Sequence, residues 1–219
     1  MKYDLIIVSK SSEQLKKVTQ NCIDSARQDD CDLNVIIVET GERTEYKGAD
    51  EIVMYKGEFN YNRALNTGLQ RAKGDIHILA NNDLLFHRGW SKIGKAMIDN
   101  NFPSASALSQ DPRQKGYQRG DWIYEGYVVG RELTGWCIFV TKNCIKQIGK
   151  LDESVHFWYS DNIYADQLMC AGIRHGLFCN VQIDHITSAT LRTVSGKEQR
   201  NFSFGELGRY KISRIKYAT

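Results

Sequence analysis

The sequence predicts an α/β protein with a central, mainly parallel sheet flanked by helices. Short continuous apolar runs, typical of strands covered on both faces, alternate with segments whose apolar residues recur at helical spacing. The chain has 219 residues, of which 42% are hydrophobic and 25% charged, so it can bury a sizeable core. We therefore expect one α/β domain with right-handed crossovers.

Four apolar runs predict the strands of the first half. They are LIIV at residues 5–8, VIIV at 35–38, IVMY at 52–55 and DIHILA at 75–80. A helix is predicted after the first run, with Ser11 and Gln14 as its capping box. A second helix, in NYNRALNTGLQRAKG, is expected to end at Gly74.

The second half is less regular. Residues 90–98 predict an amphipathic helix whose apolar face includes Met97 and Ile98. Further on, the patterns predict a strand in LTGWCIFVTK, helices in NCIKQIG and SDNIYADQLMCAG that end at glycines, and a half-buried strand in LFCNVQIDH. Residues 109–131 are polar and aromatic without a clear period, which is typical of a functional loop.

Composition narrows the class of protein. Six cysteines without metal-ligand spacing indicate reduced thiols in a cytoplasmic protein. We expect neither a signal peptide nor a transmembrane segment, because no apolar run is long enough. The net charge is +3, yet from Arg192 onward seven Lys or Arg residues face two Glu residues. Such a basic tail suits phosphate groups, an anionic membrane or nucleic acid, although charge alone favours a solvated terminal helix.

Polar side chains follow the predicted strands. Ser9 follows the first, Glu39 the second, Asn81 to Asp83 the fourth, and His185 ends the last. Open α/β sheets bind ligands at the carboxyl ends of their strands. Oxygen ligands with one imidazole suit Mn²⁺, whereas Mg²⁺ prefers oxygen alone. The alternatives are that Asp83 is a turn residue and that His185 is a hydrogen-bonded interior histidine.

Three longer stretches carry a family resemblance. In FNYNRALNTGLQRAKGDIHILANND an Asn-x-Gly helix leads into a strand that ends in a DxD-like triplet; GKLDE and WYSDNIYADQLMCAGIRHGL follow in order. From residue 5 to residue 185 the chain resembles the inverting glycosyltransferases of family 2, which have the GT-A fold. No dinucleotide-binding glycine fingerprint, Walker A motif or nucleophile elbow competes with this resemblance.

The resemblance implies a donor site. Glu39 matches the acidic residue that holds the nucleotide's base or ribose, and Asp83 with His185 would bind the Mn²⁺ or Mg²⁺ that bridges the diphosphate. Asn81 stands where the family has the first Asp of its triplet. Ser9, Asn66, Asn81 and Arg192 complete the implied donor contacts, Arg192 in a lid. A strand-end surface charge is the alternative for Glu39, and an ordinary surface arginine for Arg192.

The resemblance also implies a catalytic and acceptor side. Asp161 matches the general base, although Ser160 replaces the Glu that precedes it in the family. The alternative for Asp161 is an N-cap of its helix. Implied acceptor contacts are Trp136, Asp152, Glu153 and Trp158. For these, a buried strand tryptophan or a surface acidic turn is the alternative.

The predicted function is metal-assisted transfer of a sugar from a nucleotide sugar, a UDP-sugar first, to an acceptor hydroxyl. Residues 1–85 would form the donor half, 86–190 the acceptor half and 191–219 a basic tail or lid of one domain. The alternative is a binding module with weakened chemistry. The acceptor is a glycan, a lipid-linked molecule or a nucleic acid; the last draws on the aromatic and basic side chains of the loop, which are Tyr117, Arg119, Trp122, Tyr124 and Arg131.

Overall fold

The computed structural model describes residues 1–186 and 196–217, which form a mixed α/β structure as predicted. The strands are β1 (Lys2–Ser9), β2 (Asp32–Glu39), β3 (Glu51–Met54), β4 (Ile76–Asn81), β5 (Leu84–Phe86), β6 (Ser104–Leu108), β7 (Ile123–Glu125), β8 (Cys137–Thr141) and β9 (His175–His185). The helices are α1 (Glu13–Ala26), α2 (Tyr61–Leu69), α3 (Lys92–Asp99), α4 (Lys142–Ile148), α5 (Ser160–Cys170) and α6 (Gly196–Arg214).

The first half of the chain forms a parallel sheet in the order β3-β2-β1-β4. Alternate residues of β1 point to opposite faces. Leu5 and Ile7 join the core that contains α1, whereas Ile6 and Val8 join the core that contains α2. Because helices cover both faces, these strands carry uninterrupted apolar runs, which is why the sequence predicts all four.

The second half of the sheet pairs in both directions. Strand β8 is antiparallel to β4 and β6, β6 is parallel to β9, and β5 and β7 are antiparallel to β9. The sequence did not predict β5, β6 or β7. In β6, Ser104 and Ser106 look solvent-facing but hydrogen-bond the buried His175, whose pKa burial lowers to about 4. A neutral imidazole thus satisfies the polar face of a buried strand.

Three details of the predicted helices are wrong. Helix α1 is capped by Ser12, whose Oγ accepts a hydrogen bond from the Leu15 amide, and not by Ser11. Helix α2 ends at Leu69, because Gly74 instead donates its amide to Asp4 of β1. Ile98 is 57% exposed, so it does not belong to the buried face of α3.

Other predicted boundaries are confirmed. Gly149 caps α4 with a φ of 80°, and Gly172 follows α5 with a φ of 63°; both conformations favour glycine. The alternate residues of β9 from Leu177 to Ile183 are buried as predicted. The neighbouring Phe178 is buried too, since part of β9 is covered on both faces.

Helix α6, in the basic tail, packs against the segment that leads into α5. Glu206 accepts hydrogen bonds from the backbone amides of His156 and Phe157. The Tyr210 ring stacks on Tyr159, with ring centroids 5.3 Å apart. None of the described helices is long and apolar enough to cross a membrane. All six cysteines are free thiols in the structure.

Candidate functional site

The ends of three parallel strands meet at one edge of the sheet. Register pairs Ser9 with Glu39 across β1 and β2, and Val8 with Asn81 across β1 and β4. The structure therefore brings these predicted strand-end residues together, because parallel strands in register end at the same edge.

Strand β9 brings His185 to the same edge from far along the chain. It pairs with β5 so that His185 lies opposite Leu84, next to Asp83. His185 Nε2 lies 3.0 Å from Asp83 Oδ1, and the Ile186 amide donates to the Asp83 carbonyl. Asp83 is buried and His185 is half-buried. A carboxylate oxygen and an imidazole nitrogen thus face each other at the sheet edge.

The Asn81 side chain borders this pair. Its Oδ1 accepts a hydrogen bond of 2.7 Å from the Tyr61 hydroxyl, and its Nδ2 lies 3.5 Å from His185 Nε2. Burial raises the pKa of Tyr61 well above its ordinary value, so the hydroxyl stays protonated and donates. Asn82, in contrast, turns away and donates to the Thr19 hydroxyl.

Trp136 connects the Asp83–His185 pair to the loop of residues 109–131, for which the sequence predicts no helix or strand. Its ring stacks on His185 with centroids 5.3 Å apart and planes 5° from parallel. The Arg113 guanidinium lies over the Trp136 ring, 5.5 Å from its centroid. Arg113 is fixed by two hydrogen bonds to Asp111, which hold the pKa of that carboxyl below its usual range. No periodic signal marks these two loop residues, so the sequence analysis missed them.

Asp161 lies against Gly135, the residue that precedes Trp136. A Cβ at Gly135 would lie 2.5 Å from both Cβ and Oδ2 of Asp161, so only glycine accommodates this contact. Tyr159, in a left-handed conformation, occupies the N-cap position of α5, and Asp161 lies in the first turn, where its Oδ1 accepts from the Asn162 amide. Burial raises the pKa of Asp161, although the Asn162 amide and Arg113 oppose the shift.

Three solved structures share this architecture. GalNAc-T7 with UDP, GalNAc and Mn²⁺ gives a TM-score of 0.67 at 11% identity, over 84% of this chain and 44% of that one. The mannosyltransferase PcManGT from Pyrobaculum calidifontis, with GDP-Man and Mn²⁺, gives 0.67 at 14% identity, over 98% and 64%. S. aureus TarS 1-349 gives 0.64 at 12% identity, over 96% and 72%.

The chain has the GT-A fold. The predicted fold is thereby confirmed. Neither a protein-family model nor a curated protein sequence matches the chain. The chain spans less than two thirds of the length of GalNAc-T7 and of PcManGT.

Within the GT-A fold, Glu39 shapes the loop beside the strand ends. It is fully buried, so the surface-charge alternative is wrong. Its Oε1 accepts from the amides of Ser11 and Gly41, and its Oε2 accepts from the Tyr46 hydroxyl. Ser9 lies beneath, with its hydroxyl within hydrogen-bond distance of Tyr46. The hydrogen bonds of Ser9 and Glu39 therefore stabilise the loop at this edge of the sheet.

Asn66 and Glu153 hold α2 against the turn that precedes α5. Asn66 Nδ2 donates to the Leu151 carbonyl and to Glu153, and its Oδ1 accepts from the Leu151 amide. Glu153 also pairs with Arg63. Because these polar atoms are engaged with each other, the structure places both residues in the scaffold of the GT-A fold.

Asp152 meets the carboxyl-terminal part of the chain. Its Oδ2 accepts from the Tyr217 hydroxyl at 2.7 Å and lies 3.3 Å from Lys216 Nζ. Lys216 and Asp152 line a shallow cavity of about 440 Å³, separate from the cavity that Asp161 lines.

Two further predicted site residues remain. Trp158 packs edge-on against Phe157. Arg192 lies outside the described residues.

Proposed function

We propose that this chain is a glycosyltransferase that moves a sugar from a nucleoside-diphosphate sugar to an acceptor hydroxyl with inversion. The observation that carries the proposal is the Gly135-Trp136 dipeptide. Gly135 contacts Asp161, and Trp136 stacks on His185. One dipeptide thus contacts both a carboxylate of raised pKa, at Asp161, and the imidazole of the Asp83–His185 pair.

In this proposal Asp161 is the general base. Its carboxylate takes the proton of the acceptor hydroxyl as that oxygen attacks the anomeric carbon, and the bond from this carbon to the diphosphate oxygen breaks. The bonding electrons leave with the nucleoside diphosphate. A raised pKa makes a carboxylate a stronger proton acceptor, which suits this role.

The side chains of Asp83 and His185 are ligands that fit a divalent cation. One carboxylate and one imidazole suit Mn²⁺ better than Mg²⁺. Among the described residues there is no cluster of three His, Cys, Asp or Glu side chains that could hold a metal ion. Asp83 and His185 are the two side chains that would hold it here. A bound ion offsets the charge that develops on a diphosphate leaving group. The Mn²⁺ in GalNAc-T7 and PcManGT supports this assignment.

We assign residues 1–85 to donor binding, residues 86–190 to the acceptor and residues 191–219 to a basic tail or lid, in which Arg192 is assigned to the donor. UDP in GalNAc-T7 and GDP-Man in PcManGT make a UDP-sugar and a GDP-sugar the first donors to test. A glycan or lipid-linked acceptor is preferred to a nucleic acid. The rings of Tyr117 and Tyr124 contact each other and Arg131 covers Tyr117, so these two rings do not offer a stacking platform for bases, which leaves Trp122, 58% exposed, as a single ring of this loop.

Calorimetric titration of the protein with UDP and GDP, with and without Mn²⁺, tests the donor site. We expect one nucleotide to bind in a manganese-dependent manner, and Asp83→Ala to weaken that binding at least about tenfold. Asp99→Ala, which removes an exposed carboxylate of α3, is the control and should bind as the parent does. Binding that is independent of both Mn²⁺ and Asp83 would contradict the assignment.

A further inference from the structure

The outward face of α6 and the turn that follows it carries a stripe of exposed apolar side chains. Phe204 is 82%, Ile212 71% and Ile215 73% exposed, the three highest values among the large hydrophobic residues described. At about 100° per residue, Phe204 and Ile212 lie about 80° apart on one side of α6, and Ile215 begins the 3₁₀ turn that follows the helix. Single exposed apolar residues are ordinary, but an aligned group indicates a binding surface.

The opposite face of α6 fixes the orientation of this stripe. Glu206 and Ser213 are buried, and Tyr210 stacks on Tyr159. Tyr217, in the following turn, donates to Asp152. Because these contacts hold the inner face, the apolar stripe cannot rotate toward the core.

Cations flank the stripe. From Leu207 to Tyr217 the sequence has no acidic residue, and its four basic residues, Arg209, Lys211, Arg214 and Lys216, are all exposed. Three of them pair with the carboxylates of Glu206, Asp166 and Asp152. Those carboxylates are nearly inaccessible while the cationic side chains stay more than half exposed, so the surface turned to solvent is positive.

We propose that this face of α6 binds an anionic lipid surface. Phe204, Ile212 and Ile215 would insert among the head groups, and the flanking cations would contact lipid phosphates. A second copy of the chain is a poorer occupant, because symmetric pairing of this face would oppose its own cations. The proposal concerns binding alone and does not depend on the transferase assignment.

Co-sedimentation with vesicles tests the proposal, using phosphatidylcholine alone and phosphatidylcholine mixed with phosphatidylglycerol. We expect the protein to pellet with the mixed vesicles and to be released by salt. A variant with Phe204→Gln, Ile212→Gln and Ile215→Gln should partition at least about tenfold less, since glutamine keeps helical propensity but removes the apolar area. Ile98→Gln, an exposed isoleucine of α3, is the matched control and should bind as the parent does.

Three outcomes overturn the proposal. The parent does not bind the mixed vesicles, or the triple variant binds them as well as the parent does. In the third outcome, the parent binds no vesicles but is a dimer in sedimentation velocity, and the triple variant is a monomer. A second copy of the chain then covers the stripe. Circular dichroism of the variant checks that α6 is retained, and Lys211→Glu, which leaves the apolar stripe intact, should also reduce binding to mixed vesicles.

Discussion

Residues 1–85 and residues 86–186 supply side chains to the candidate site in different ways. In the first region, Ser9, Glu39 and Asn81 reach the sheet edge because three parallel strands end in register. In the second, Asp161 and Trp136 are positioned by contacts between segments distant in sequence, through Gly135 and Arg113.

Substitutions in the two regions should therefore have different effects on stability and on the site. A substitution in the first region changes the free energy of unfolding before it moves the strand ends, since backbone ladders fix them. In the second region a single side chain added at the wrong place displaces a reacting group while the sheet stays intact. The following predictions test that contrast, beginning with the largest effect.

Asp161→Asn should lower kcat by about 10² to 10⁴, because the amide cannot accept the hydroxyl proton. Donor binding, measured by calorimetry, should stay at the parental value, since the Asp83–His185 pair is untouched. Asp24→Asn, at an exposed site on α1, is the control.

An Asp161→Asn variant that transfers sugar at the parental rate would show that another group is the base. A parent that binds nucleotide yet transfers no sugar to any acceptor would favour the binding-module alternative, to which Asn81 and Ser160 lend support.

Gly135→Ala should lower kcat by about 10² with little change in donor binding. The new Cβ would lie 2.5 Å from Asp161 Oδ2, and a shift of about 1 Å in a reacting group can cost that factor. Gly116→Ala is the matched control, because no atom lies within 4 Å of a Cβ there. Parental turnover in Gly135→Ala would contradict the contact, provided that both variants unfold at the same temperature.

Asp4→Asn should destabilise the first region by about 2 kcal/mol at neutral pH and leave the position of Asp161 unaffected. Burial alone would raise the pKa of Asp4, but hydrogen bonds from His77, Asn34 and Gly74 outweigh it and lower the pKa to about 2 from 3.8. The ionised form therefore stabilises the fold above pH 3.8, and this contribution is lost as the pH falls through 2.

Urea unfolding of the parent and of Asp4→Asn at neutral pH and near pH 2 measures this contribution. The two proteins should differ at neutral pH and converge in acid. Asp32→Asn, exposed at the start of β2, should match the parent throughout. A difference for Asp4→Asn that persists in acid would mean that lost packing, not ionisation, causes it.

Sequence patterns predict the first region well because its buried apolar residues recur at the spacings of strands and helices. Buried parallel strands show as apolar runs, and polar residues follow them at the edge of the sheet, so the sequence predicts that Asn81 and Asp83 lie at this edge. The pairing of Asp83 with His185 needed the resemblance as well, since β5 is too short to show a pattern.

The second region resisted prediction for physical reasons. Arg113 and Asp111 act through an irregular loop whose shape depends on Trp136 and Gly130, not on any local period. Ser104 and Ser106 give β6 the alternating pattern of a solvent-facing strand, but both hydrogen-bond the buried His175. The contacts of Asp152 with Tyr217 and Lys216, which follow α6, also join segments that no local pattern connects.

The pairing of β4 with β8 has a consequence for synthesis on the ribosome. Strand β4 is complete at Asn81, but its antiparallel partner begins only at Cys137, and the strand that carries His185 follows later still. Until β8 emerges, the nascent parallel sheet has an apolar open edge, the kind of surface that chaperones protect. We therefore expect the sheet of residues 1–85 to assemble first, and the Asp83–His185 pair to form only after β9 has left the exit tunnel.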